Sequence, residues 1–166
     1  MQRCQFHKRE NVVSYLDEAD QAIYRERLNR AYRLPDYQEA RAALETIHAD
    51  LERRNLSAAN SLAEGLEETL TLQRLGIVRL FHRTFATTNM IENVNMLIGK
   101  YVGNVKYWQS SEQRHRWLAS ALLEVEQRMR RIDHYRDLGT VQQAVKRLFK
   151  EREKEEQQPE PMQAAA

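Results

Sequence analysis

The sequence predicts a mainly α-helical chain, and three observations carry that expectation. Glycine and proline are scarce, five and three in 166 residues, which leaves few points where a helix must break. Ala, Leu, Glu, Gln and Arg, which lose little on entering a helix, recur throughout. Apolar residues repeat at three- and four-residue intervals, several times just behind a side chain able to cap a helix start.

Gln2 to Phe6 is too short to classify, with the end of a strand as one reading. From Asn11 the residues Val12, Leu16, Ala19 and Ile23 follow helical spacing, extended less regularly by Leu28 and Ala31. Pro35 then breaks the chain. Asp36 with Glu39 has the form of a capping box ahead of Tyr37, Ala40, Leu44, Ile47 and Leu51. Ser57 is the expected cap of the next helix, through Ala58, Leu62, Leu66 and Leu70, with Gly65 inside it at a cost of ~1 kcal/mol relative to Ala and Gly76 at its end. A short apolar stretch, Ile77 to Phe81, precedes a helix expected near Asn89 along Ile91, Val94, Leu97, Ile98 and Tyr101, interrupted by Gly103 and Asn104. Ser110 with Gln113 can cap a long helix along Trp117, Ala121, Val125, Met129 and Ile132, and Thr140 a last one through Phe149. Glu151 to Ala166 is charged, then Gln- and Pro-rich, then Ala-rich, and is expected to be disordered. No internal repeat or sustained heptad is present.

The single cysteine, Cys4, has no internal disulfide partner, and the polar start lacks the apolar core of a secretory signal, so a cytoplasmic protein is expected. No stretch approaches the ~18 apolar residues of a membrane span. Net charge is only +2 but is unevenly placed. Asp17 to Glu68 holds twelve acids against seven arginines, whereas Lys100 to Arg131 holds seven basic residues against three glutamates. The second segment is the better candidate for a polyanionic partner, and a solvated basic helix face is the plainer alternative.

Cys4 and His7 stand three residues apart, close enough to share a metal ion if two further ligands come from elsewhere. His48, His82, His115 and His134 supply no second ligand pair. A Cys-His nucleophile needs an orienting group and an oxyanion hole that no segment advertises, and no Gly-rich phosphate loop is present.

Three longer segments carry more information: Arg3-Cys4-Gln5-Phe6-His7-Lys8-Arg9-Glu10-Asn11-Val12, the run from Ser61 to Gly76, and Thr87-Thr88-Asn89-Met90-Ile91-Glu92-Asn93-Val94-Asn95. With Asn104 to Trp108, Arg116 to Leu123 and Arg130 to Arg136, they resemble the mutator-family bacterial insertion-sequence transposases over about residues 2 to 150. That resemblance implies a ribonuclease-H-like α/β catalytic domain with an Asp-Asp-Glu triad, interrupted by a helical insertion. It further implies that residues 1–10 end a catalytic-domain strand, 11–76 form the insertion, 77–150 are C-terminal helices carrying Glu92, and 151–166 are a tail. Glu92 matches the catalytic, metal-binding glutamate. Cys4 and His7 match the family's Cys-x-x-His signature and, with Asn89 and Asn95, are expected to be structural marks. Lys100, Lys106, Arg114, Arg116, Arg130 and Arg131 are the expected DNA contacts.

A carboxylate suits this chemistry because two divalent ions ~3.5–4 Å apart activate the attacking oxygen and stabilise the leaving one at a phosphate, and Mg²⁺ or Mn²⁺ prefers hard oxygen ligands. Spacing alone reads Glu92 more simply, as the glutamate of a capping box begun by Asn89. The family's two aspartates are expected upstream of Cys4. Asp17, Asp20, Asp36, Asp50, Asp133 and Asp137 lie in predicted helices or loops that do not mount them opposite Glu92, so the chain alone is expected to be inactive and not to bind the ions tightly. Two functions follow: a carboxy-terminal transposase fragment acting on transposon ends and target DNA in its complete form, or an inactive helical module that binds DNA or pairs with itself or a full transposase.

Overall fold

The computed structural model describes residues 3–156, and among them every regular element is helical. Ten α-helices follow in order: α1 Gln5–Val13, α2 Glu18–Arg33, α3 Tyr37–Arg54, α4 Leu56–Ala63, α5 Leu66–Thr69, α6 Thr71–Arg74, α7 Val78–Phe85, α8 Asn89–Val102, α9 Ser111–Glu126 and α10 Leu138–Glu156, with a 3₁₀ turn at Tyr135–Asp137 before the last. Among the described residues no helix is long and apolar enough to cross a membrane.

The strand end considered for residues 2 to 6 is replaced by helix from Gln5 onward. Cys4 takes the N-cap position, its Sγ accepting from the His7 amide at 3.5 Å. Gln5, Lys8, Val12 and Val13 are then buried at helical spacing. Lys8 is almost fully buried, donates to the Ser61 carbonyl, and lies 3.7 Å from Glu64. Burial pulls its pKa down, and Glu64 partly restores it.

The single helix expected from Asn11 to Ala31 is two helices. Ser14 Oγ donates to Asn11 O at 2.8 Å, and a turn through Asp17 separates α1 from α2. Asp36 caps α3 as expected, accepting from the Glu39 amide at 2.9 Å. The next cap is Asn55 and not Ser57: its Oδ1 accepts from the Ala58 amide at 3.0 Å while its Nδ2 reaches Tyr15 O at 2.7 Å. Gly65 does not sit inside a helix. Its φ of +66° divides α4 from α5, a left-handed conformation that glycine adopts without the Cβ penalty. Gly76, at φ +69°, ends α6 as expected.

Two apolar clusters organise the molecule. The first joins α1, α2, α3 and α4 through Val12, Tyr24, Leu28, Leu44, Leu51, Leu62 and their buried neighbours up to Leu70. The second gathers Leu72, Leu75, Ile77, Val78, Phe81 and Ala86 with Ala144 of α10. The boundary expected after residue 76 therefore cuts through one cluster, since Leu72 and Leu75 pack with the later helices.

Helices α8 and α9 pack against each other and lie largely outside both clusters. No residue of α8 is buried, and only Ala121 and Val125 of α9 are. Ser110 caps α9 as expected, accepting from the Gln113 amide at 3.1 Å. That helix stops at Glu126, short of Met129 and Ile132. Thr140 lies within α10, which starts directly from the 3₁₀ turn. The disorder expected from residue 151 does not begin there: α10 runs on to Glu156, its Glu, Lys and Arg residues being good helix formers and Arg147 pairing with Glu151 at 3.9 Å. The rest of that expected tail, 157–166, lies outside the described residues.

Candidate functional site

Two elements far apart in sequence build the site. The backbone N–H of Gln5 donates to Ala86 O at 2.9 Å, and that of Arg3 to Glu68 O at 3.0 Å. The first bond holds the start of α1 beside the Thr87-Thr88 segment that leads into α8, and the second ties it to α5. The amide of Gln5 extends the anchoring, its Nε2 donating to Thr69 O at 2.8 Å.

Thr88 is the pivot. It occupies the N-cap position of α8, yet its side chain does not cap the helix. Its hydroxyl instead donates to Glu92 Oε1 at 2.6 Å. Cys4 Sγ lies 3.6 Å and His7 Nδ1 3.4 Å from the same hydroxyl oxygen. His7 Nε2 completes the cluster at 3.6 Å from Glu92 Oε1. The hydroxyl has one hydrogen, so a consistent arrangement has Thr88 donating to the carboxylate and accepting from His7.

The capping box proposed between Asn89 and Glu92 does not form. Asn89 is already the first helical residue, and Glu92 uses its side chain on Thr88. Its position in the first turn still favours a negative charge, because the free amides and dipole of α8 point there. Glu92 is half-exposed at 52% and His7 at 55%, so the cluster opens to solvent. Asn89 and Asn95 are both exposed on α8. Cys4, Thr88 and Ile91 also line an apolar cleft of about 390 Å³.

The structure thus brings Cys4, His7 and Glu92 together. Thr88, which links them, lies in the segment from Thr87 to Asn95, but nothing in spacing alone marks it. Among the described residues no three His, Cys, Asp or Glu side chains are grouped so as to hold a metal ion. Several candidate aspartates are engaged elsewhere: Asp50 with Arg27, Asp20 with Arg54, Asp133 with Arg83 and Asp137 with His134. A two-ion site needs more hard oxygen ligands than Glu92 provides, and these residues by themselves do not fit one.

The candidate DNA contacts are all exposed: Lys100 on α8, Lys106 in the connection, Arg114 and Arg116 on α9, and Arg130 and Arg131 beyond it. Arg116 pairs with Glu112 one turn away, and Arg131 stacks over Tyr135 at 4.9 Å. Lys100, Lys106 and Arg130 have no ion pair among the described residues, which leaves their charge available to an anion.

Comparison with known proteins adds one match. A family model described as "Transposase, Mutator family" covers residues 1–132. No curated protein and no solved structure matches the chain.

Proposed function

We infer, from the premise that the chain belongs to the mutator family of transposases, that it supplies the glutamate side of a metal-dependent site for DNA strand cleavage and transfer. The observation that carries this reading is the treatment of Glu92. Its carboxylate is held by the Thr88 hydroxyl and faces His7, while half of the side chain stays open to solvent. A glutamate serving only as a cap would turn back to the backbone amides of its own helix.

In this reading Glu92 is the single carboxylate these residues contribute, and the aspartates and Mg²⁺ or Mn²⁺ belong to the complete enzyme. Thr88 orients the carboxylate, and Cys4 and His7 fix the start of α1 against it. The ribonuclease-H-like sheet would come from outside the helices described above. Lys100, Lys106, Arg114, Arg116, Arg130 and Arg131 would lie along DNA phosphates, giving salt-sensitive, sequence-independent attraction.

A second reading, a non-catalytic module that pairs with another transposase chain, is favoured by the α8–α9 pair, which leaves Ile91, Met96, Leu118, Leu122 and Leu123 exposed.

The test joins this chain downstream of an aspartate-bearing segment from a family member and measures Mg²⁺-dependent cleavage of DNA carrying the terminal repeats. Glu92→Gln keeps the side-chain shape and loses the charge, and is expected to abolish cleavage while DNA binding and its salt dependence persist. A folded Glu92→Gln enzyme that cleaves at close to the parent rate overturns the assignment and leaves the second reading.

A further inference from the structure

Gln5 is buried, at 3% exposure, although Phe6 and His7 beside it are exposed. From the first turn of α1 it bonds in two directions. Its backbone N–H donates to Ala86 O at 2.9 Å, in the connection from α7 to α8, and its side-chain Nε2 donates to Thr69 O at 2.8 Å, at the end of α5. Ala86 stands just ahead of Thr88, so a single residue ties α5 to the segment that carries Glu92. One turn further on, Lys8 donates to the Ser61 carbonyl and fixes α1 to α4 as well.

An amide is not the side chain that stability alone would select here. Gln5 Oε1 is buried with no hydrogen-bond partner among the described residues, and an unpaired buried acceptor costs free energy. Methionine has a similar length and reach and leaves no polar atom unpaired. What it lacks is a donor for Thr69 O. A carbonyl only accepts, so this bond fixes the direction of the amide and, with the bond to Ala86, the placement of the whole first turn. That turn carries Cys4 and His7, whose Sγ and Nδ1 lie 3.6 and 3.4 Å from the Thr88 hydroxyl oxygen, while His7 Nε2 lies 3.6 Å from Glu92 Oε1. None of these contacts is short enough to hold the turn by itself.

We propose that Gln5 is a positioning residue for the strand-cleavage reaction. By pinning the first turn of α1 between Thr69 and Ala86 it sets His7 against Thr88 and Glu92, and so couples the helices before residue 76 to the direction of the Glu92 carboxylate. Its part in cleavage rests on the function proposed above, whereas the coupling from Gln5 to Glu92 stands or falls by itself.

The experiment follows the His7 imidazole signal of the full chain by NMR at fixed pH, with circular dichroism as the check on folding. Glu92→Gln removes a charge beside the ring and should displace that signal in the parent. In the Gln5→Met background the displacement should fall to less than about half, because the ring no longer rests on Glu92. Leu44→Val, which thins the core on α3 and removes no hydrogen bond, controls for lost stability and should leave the full displacement. A further measurement needs no variant: the Nε2 hydrogens of Gln5 should exchange with solvent about tenfold more slowly than those of the exposed Gln38. In the joined enzyme Gln5→Met should slow single-turnover cleavage at saturating Mg²⁺ about tenfold, as is usual for groups that orient a metal ligand, with KM for DNA unchanged. Full displacement in the Gln5→Met chain, no displacement in the parent, fast exchange of the Gln5 amide, or parent-like cleavage by Gln5→Met overturns the proposal. If Glu92→Gln abolishes cleavage and Gln5→Met does not slow it, the positioning role fails and the proposed function stands. If Glu92→Gln cleaves like the parent while Gln5→Met still loses the displacement, the function fails and the coupling stands.

Discussion

His7 Nε2 lies 3.6 Å from Glu92 Oε1, and the Thr88 hydroxyl binds that same oxygen at 2.6 Å. The carboxylate is therefore positioned by a neighbour one turn back on its own helix and by a residue of α1. Thr88→Val keeps the branched shape and removes the hydroxyl. The group is partly solvated, so the chain should lose at most about 1 kcal/mol of stability. In the joined enzyme cleavage should fall in part where Glu92→Gln abolishes it, measured as single-turnover rates at saturating Mg²⁺. Parent-like rates would show that Thr88 does not orient the carboxylate.

Asp50 links α3 to α2. A hydrogen bond from Arg27, then one from Tyr24 at 2.7 Å, holds its pKa down to about 2. Its ordinary value is about 3.9. Because the folded value is the lower one, the contribution to stability is complete above about pH 4 and is lost as pH falls toward 2. Asp50→Asn should destabilise the chain at pH 7 by about 1 kcal/mol, a figure kept small because solvent reaches the pair. That difference should vanish near pH 2. Urea unfolding at pH 7, 4 and 2.5 checks it, and a pH-independent difference would contradict the account.

Asn55 performs two tasks, capping α4 through Oδ1 and holding the turn after α1 through its bond to Tyr15 O. Asn55→Ala should cost about 1–2 kcal/mol, and Asn55→Asp, which retains only the cap acceptor, should cost less. Equal losses in thermal unfolding would mean that the cap is not the larger part.

Leu28 is fully buried in the first cluster, whereas Leu123 on α9 is 64% exposed. Leu28→Ala should cost about 2–5 kcal/mol. Leu123→Ala should change stability by less than about 0.5 kcal/mol. A large loss from Leu123→Ala in the monomeric chain would show that α9 is covered in solution.

What the sequence determined by itself is local. Helical content, the Asp36 and Ser110 caps, the stop at Gly76 and the start of α8 near Asn89 all rest on interactions within about four residues, which spacing and residue type specify directly. The family was legible for a similar reason, since long segments kept their order from Arg3 to Arg136. Tertiary structure decided everything set by distant partners. Gln5 is helical because Cys4 can cap α1 and because its own amide is anchored to Thr69 and its N–H to Ala86. Asn55 outcompetes Ser57 as the cap because it also binds Tyr15 O. Glu92 takes its hydroxyl partner locally, from Thr88 four residues back, and only folding sets that pair beside Cys4 and His7. Periodicity reports which face of a helix is buried. It carries no information about which other helix will bury it, and at Glu92 that contact is what adds His7 of α1 to the local Thr88.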